Sequence, residues 1–540
     1  MRARKTSALV ALVAGAAAIP SPGVSQSTSA AQRCEAITGS ELRPGLTVTS
    51  ARHVAAAPAR ASAGPGAPPT PALPAHCRVE GTIDPHRGAD GTEYAIGFAL
   101  ALPDTWNGRF LLQGGGGLNG SVGNPIGPVA AGDRPALARG FAVISHDSGH
   151  KGAVFDASFM ADQRAALNFA EASVRTVALD GKALTERYYG RAIGHSYMTG
   201  CSTGGREGML AAQRYPELFD GIVVGAPAMR TGHSNLGIDY AAVQFNHAAP
   251  RDADGLPIPD RIFSASDRAT VREGLLRQCD ALDGRADGMI MNVAGCRFQP
   301  AELQCTGDKA DGCLSGAQVK AMEMAFAGPK DAAGYPVYVP VPYDTGIVFT
   351  GPGLPGYLPT GAPGVFGPAS RALTIDLDAR LREIEANASQ RLTDTNVWTD
   401  LDTFLGRGGK ILFFHGVSDP WFSAFDTWDW WRRAAETNGA AFTDASRFYM
   451  NPGMMHCAGG DAYDRFDLLG PLVEWVEQGK APERPIASRA DGSAAMPLCP
   501  HPQYPHYTRG DPARAESYEC RAPANALTAT AAGAGLRASL

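Results

Sequence analysis

Residues 191–216, RAIGHSYMTGCSTGGREGMLAAQRYP, constrain the fold of this chain more than any other stretch. An apolar run ends in Gly200-Cys201-Ser202-Thr203-Gly204, and a helix-forming segment follows. Strand, glycine-flanked turn and helix is the order in which G-x-S-x-G lifts a serine hydroxyl above a sheet. The glycines permit the tight turn, and Thr203 N–H then sits at a helix N-terminus, where developing negative charge is stabilised. A Gly/Ser loop can match so short a motif by chance; the strand and helix on either side argue against that here.

The surrounding pattern is consistent with the elbow. EYAIGFALALP (93–103) and RFLLQ (109–113) read as alternating strands, and GFAVISHDSGH (140–150) and FDGIVVGAPA (219–228) as short buried ones. Residues 159–190 carry apolar positions at helical spacing. Strands alternating with helices predict a mostly parallel α/β sheet. The alternation fails over 230–405, which holds four cysteines and a Gly/Pro-rich run, and resumes with GKILFFHGVSD. We therefore expect an α/β-hydrolase core in two parts, 32–229 and 406–540, with 230–405 inserted as a lid where α/β loops build sites. The Pro/Ala/Gly-rich residues 55–75 read as an exposed loop or arm.

A serine hydroxyl needs a base, and the base an orienting acid, in the chain order Ser, Asp or Glu, His. Asp419 follows the strand KILFFHGVSD and His456 lies in NPGMMHCAGG, both at strand-to-helix connections. Asp426 and Asp429 compete for the acid's role, but FSAFDTWDWW looks helical, which suits solvated or capping carboxylates. His415 and His195 fall within strands. The run Gly114–Gly117 ends a strand ahead of the elbow, and Gly116, with Gly117 beside it, is the expected second oxyanion donor alongside Thr203.

The N-terminus places Arg2, Arg4 and Lys5 before an apolar stretch too short to span a bilayer, then small residues. This is the order of an export signal, assigned to residues 1–31, with a secreted or periplasmic destination. An exported chain can keep disulfides, and ten cysteines are present: Cys34, Cys77, Cys201, Cys279, Cys296, Cys305, Cys313, Cys457, Cys499 and Cys520. Pairing near neighbours would join 34 to 77, 279 to 296, 305 to 313 and 499 to 520, and leave Cys201 with Cys457. If Ser202 touches His456, those two cysteines are close as well. The 540 residues carry a net charge of −6 with no basic block, which argues against nucleic acid or an anionic membrane as partner.

GCSTGGREG, GVSDP and GMMHC together resemble the tannase and feruloyl esterase family, including its mono(2-hydroxyethyl) terephthalate hydrolase members. The resemblance covers nearly the whole mature chain. It implies an α/β-hydrolase core, a lid that holds an aromatic acid, a disulfide joining the two triad loops, and a serine esterase acting on a small aromatic ester. The lid stretch CDALDGRADGM adds a metal expectation. Asp280, Asp283 and Asp287 are hard oxygen donors on a Gly-punctuated loop, which suits structural Ca²⁺, with the carbonyls of Arg285 and Met289 completing the shell. The family's lid calcium implies the same. Feruloyl, galloyl and mono(2-hydroxyethyl) terephthalate esters all remain open as substrates. Tyr343, Phe349, Tyr357 and Phe366 could wall the acid, and Arg371 could pair a terephthalate carboxylate. A peptidase with the same triad, or a silent binding protein on a hydrolase fold, are the competing readings.

Overall fold

Alternate residues of each central strand face opposite sides, and here both sides are apolar. In β4 (Arg109–Gln113), β6 (His195–Cys201), β7 (Gly221–Gly225) and β8 (Lys410–Gly416), Phe110, Met198, Ile222 and Phe413 enter one core. Leu111, Tyr197, Val223 and Leu412 enter the other. Strands buried on both faces need helices on both sides, the logic of a parallel sheet. The computed structural model, which describes residues 29–39, 42–61, 70–351, 356–359 and 369–524, shows that sheet.

It has nine strands in the order β1-β2-β3-β5-β4-β6-β7-β8-β9, where β1 is Leu46–Val54, β2 His76–Arg87, β3 Glu93–Pro103, β5 Ala142–His146 and β9 Ser446–Asn451. The run from β5 through β4 to β9 is parallel, and β1, β2 and β3 extend it antiparallel. EYAIGFALALP is indeed a strand, but Ile96–Pro103 are buried on both faces, so the expected alternation reflects composition and not a solvent side. Helices α1 (Ser173–Tyr189), α2 (Thr203–Arg214) and α6 (Ala424–Asn438) cover one face, and α7 (Leu469–Gln478) the other. The predicted long helix over 159–190 begins at Gln163 and passes through a π turn at Asn168–Ala172 before α1.

Between β7 and β8 lie α3 (Thr231–Ala248), α4 (Ala265–Cys279) and α5 (Gly316–Ala327), which share a separate core of Phe245, Phe263, Leu275, Met322 and Phe326. The Pro-rich arm pairs its own ends at Ala57 with Leu73 and Arg60 with Thr70. All five expected disulfides are present: 34–77, 201–457, 279–296, 305–313 and 499–520. The export signal up to residue 28, and Phe366, lie outside the described residues. Among the described residues no helix is long and apolar enough to cross a membrane.

Candidate active site

Ser202 follows β6 in a conformation that few side chains adopt, φ 62° and ψ −123°, directly before α2. The strain persists because neighbours over-determine it: Ser202 N–H donates to Gly225 O (3.0 Å), and Ser202 O accepts from Ala228 N–H (3.1 Å). Gly204 makes the close approach possible. A Cβ there would meet the backbone of Gly114 and Gly115, so only glycine lets the loop after β4 lie against the elbow.

That loop is fixed from the elbow helix. Gly204 N–H donates to Gly115 O (2.9 Å), Thr203 Oγ1 donates to Gly117 O, and Gly115 N–H donates to the Glu207 carboxylate (2.9 Å). Thr203 N–H and Gly116 N–H have no acceptor among the described residues, and a Cβ on Gly116 would meet open space. The sequence reading missed Glu207, five residues after Ser202. It is buried with Asn119 (3.4 Å) and His146 (3.7 Å) beside it. The available signal was a charged Arg206-Glu207 pair in a helix of small and apolar residues.

Asp419 and His456 meet: His456 Nδ1 lies 2.6 Å from Asp419 Oδ2. Asp419 Oδ1 accepts from Trp421 N–H (2.9 Å) and Phe422 N–H (3.1 Å), which aims the carboxylate. Burial alone would push the Asp419 carboxyl up. The charges and hydrogen bonds of His456 and His415 outweigh it and hold the group well below the usual carboxylate range. His456 Nε2 is buried and has no hydrogen-bond partner among the described residues. Trp421 and Phe422 stand against the imidazole, with ring centroids at 4.8 and 5.4 Å. The Cys201–Cys457 disulfide, Cα atoms 6.0 Å apart, joins the serine and histidine turns.

His415 is fully buried behind the acid loop, with Nε2 3.3 Å from Asp419 Oδ2 and Nδ1 2.9 Å from Thr427 Oγ1. His195 begins β6 at the opposite end of the sheet from Ser202, beside Glu477. Asp426 and Asp429 are not the solvated or capping carboxylates that the helical pattern of FSAFDTWDWW suggests. Both are buried and paired, Asp426 with Arg230 and Asp429 with Arg432 and Arg433, because the inward face of α6 packs on the sheet. Arg371 is held by Asp252 and by Pro257 O (2.8 Å). Tyr343 stacks on Phe326 (4.1 Å) and Tyr357 packs edge-on to it, both in the core of residues 241–358, whereas Phe349 is half-buried. A narrow cleft lined by Ser234, Tyr338 and Tyr357 reaches Asp419 and Trp421.

In the loop after α4, Asp280 accepts from Asp287 N–H (3.1 Å) and Gly288 N–H (3.0 Å), and Asp283 from Arg285 N–H (3.2 Å) and Met291 N–H (3.0 Å). Arg285 pairs with Asp287 at 3.1 Å. Burial, with the charges of Asp287 and Asp280, pushes the Asp283 carboxyl up to about 7. Among the described residues no group of three or more His, Cys, Asp or Glu side chains is arranged to hold a metal ion.

A nucleophile elbow on a mostly parallel sheet, followed by an acid and a histidine on later strand ends, defines the chain as an α/β-hydrolase. The chain belongs to the tannase and feruloyl esterase family, whose model matches residues 77–349 and 371–521, and it is a carboxylic ester hydrolase. It is 38% identical to a mono(2-hydroxyethyl) terephthalate hydrolase of Piscinibacter sakaiensis over 87% of each chain. It is 30% identical to a probable feruloyl esterase of Arthroderma benhamiae over 84% of this chain and 88% of that one. The structure of feruloyl esterase B from Aspergillus oryzae superposes with a TM-score of 0.73 at 26% identity, covering 91% of this chain and all of the other.

Proposed function

We propose that the protein is an exported serine esterase that hydrolyses feruloyl, hydroxycinnamoyl or galloyl esters through Ser202, His456 and Asp419. The observation that carries this reading is the 2.6 Å contact of Asp419 with His456 Nδ1. It sets the tautomer that leaves Nε2 to take a proton, and the 201–457 disulfide holds that imidazole's loop at the serine turn. Ser202 Oγ attacks the ester carbonyl as His456 Nε2 takes its proton. Thr203 and Gly116 N–H groups receive the oxyanion, and the protonated His456 returns the proton to the leaving alkoxide. Water, activated by the same imidazole, then cleaves the acyl-enzyme and restores Ser202.

Residues 230–405 act as the lid under which the aromatic acid is held. A mono(2-hydroxyethyl) terephthalate activity is the second reading, supported by the 38% identical relative. We rank it behind on family breadth, because feruloyl esterases recur among the relatives. The export assignment is supported by the N-terminal charge and apolar order and by five disulfides, which persist outside reducing compartments.

Asp280, Asp283 and Asp287, with carbonyls of Arg285 and Met289, would hold a structural Ca²⁺. Two buried carboxylates and a half-buried one share this loop, and Asp283 is pushed up to about 7 in part by the charges of the other two, a donor set whose charge a hard cation would balance. The ion would tie the lid together and take no part in the chemistry. Rates on methyl ferulate, methyl gallate and mono(2-hydroxyethyl) terephthalate test the assignment. The hydroxycinnamate or the gallate should give the highest kcat/KM, and a terephthalate preference would reverse the ranking.

A further inference from the structure

Asp344 lies outside the sheet, in the segment between β7 and β8 that the sequence reading treated only as a Gly/Pro-rich lid run. Its carboxyl is completely buried, and no charged neighbour offsets the burial that pushes it up; a serine hydroxyl and backbone N–H groups alone pull the other way. An unpaired buried charge is costly and persists only where several donors point at it. The donors here are informative. Oδ2 accepts from Ser418 Oγ (2.6 Å) and from Gly453 N–H (2.6 Å), and Oδ1 accepts from Thr345 N–H (2.8 Å).

Ser418 immediately precedes the triad acid, and Gly453 is three residues before the triad histidine. One oxygen of a lid side chain therefore grips both catalytic loops. The grip is reinforced from the same segment: Gly346 N–H donates to Ser418 Oγ (3.1 Å), and a Cβ on Gly346 would collide with Ser418. The two loops also bond to each other, Ser418 N–H to Met454 O (3.0 Å) and Val417 N–H to Asn451 O (3.0 Å). Those backbone contacts set their spacing; the lid carboxylate sets where the pair sits relative to the lid.

We infer that Asp344 is a positioning residue of the triad, a lid carboxylate that clamps the Asp419 and His456 loops in one register. The inference rests on the Ser202–His456–Asp419 reading above. It makes the lid a part of the catalytic machine and not only a wall for substrate.

The test compares kcat and KM for methyl ferulate in Asp344→Asn, Asp344→Ala and Ser418→Ala, with and without Asp419→Asn. An asparagine can still accept on one side, so its loss should be the smaller, about threefold to tenfold in kcat. The alanine should lose about a hundredfold, the scale expected when catalytic groups shift by roughly 1 Å. KM should stay within about twofold. Added to Asp419→Asn, Asp344→Ala should cost less than about twofold more, because groups that act as a unit are not additive. Should the Asp344 variants not fold, Ser418→Ala, which keeps the carboxylate but removes its link to the acid loop, should still lose about tenfold in kcat. Folded Asp344→Ala with normal kcat, a loss confined to KM, losses that multiply with Asp419→Asn, or normal kcat in Ser418→Ala would each overturn the inference. Near-normal activity in Asp419→Asn alone would instead bring down the triad reading, and this inference with it.

Discussion

Single side chains carry the chemistry, and they differ in how openly the sequence announces them. Replacing Ser202 or His456 with alanine should lower kcat by several orders of magnitude with folding intact, and Asp419→Asn should be comparably severe through loss of imidazole orientation. Collapse in Asp426→Asn beside near-normal Asp419→Asn would show the wrong acid was chosen, though Asp426 is engaged by Arg230. Glu207→Gln is a subtler case. It keeps the size but weakens the acceptor for Gly115 N–H, so kcat should fall about tenfold, one lost charge-assisted bond, with KM little changed. An unchanged kcat would remove Glu207 from the oxyanion support. Ser202, Asp419 and His456 could be proposed from the sequence because each sits in a local motif at a strand end. Asp344 and Glu207 were not, because their roles arise from donors brought in from 74 to 109 residues away for Asp344 and 92 for Glu207. Nothing in YDTGIVF or GGREG encodes those partners by spacing alone.

At the level of elements, the serine turn after β6 and the histidine turn after β9 lie three strands apart in the sheet, and a disulfide crosses between them. Loop entropy for a closure of 256 residues suggests roughly 5 kcal/mol of stabilisation. The double replacement of Cys201 and Cys457 by alanine should reduce activity more than the lost stability explains, measured at a temperature where the variant stays folded. Full activity there would mean that the bond serves stability only. Peptide mapping without reduction should recover the cross-linked pair, and two free thiols in active protein would contradict it. The strands themselves were readable as apolar runs, and the elbow helix by its position after the motif. The antiparallel run β1-β2-β3 was not, since pairing direction depends on connection length and packing, neither of which appears in a strand's own residues. The inward pairing of Asp426 and Asp429 was hidden for the same reason: α6 looks polar until the sheet beneath it is known.

For the whole molecule, the α/β alternation stops after β7 and resumes at β8, and α3, α4 and α5 with their separate core fall between. Calcium belongs to this scale, since its role would be to hold the lid and not to act on substrate. Chelator treatment of the purified protein, or Asp283→Ala, should lower the Tm while Ser202 still forms an acyl-enzyme. A melting curve indifferent to chelator, with no calcium in dialysed protein, would remove the site. The central claim is that this esterase works through one serine on the elbow. Labelling the intact protein with a fluorophosphonate while following methyl ferulate hydrolysis, then mapping the modified peptide by mass spectrometry, tests it most directly. The account predicts one label per chain, on Ser202, with activity falling in proportion to labelling. A label on another residue, or full hydrolysis after complete modification of Ser202, would contradict it.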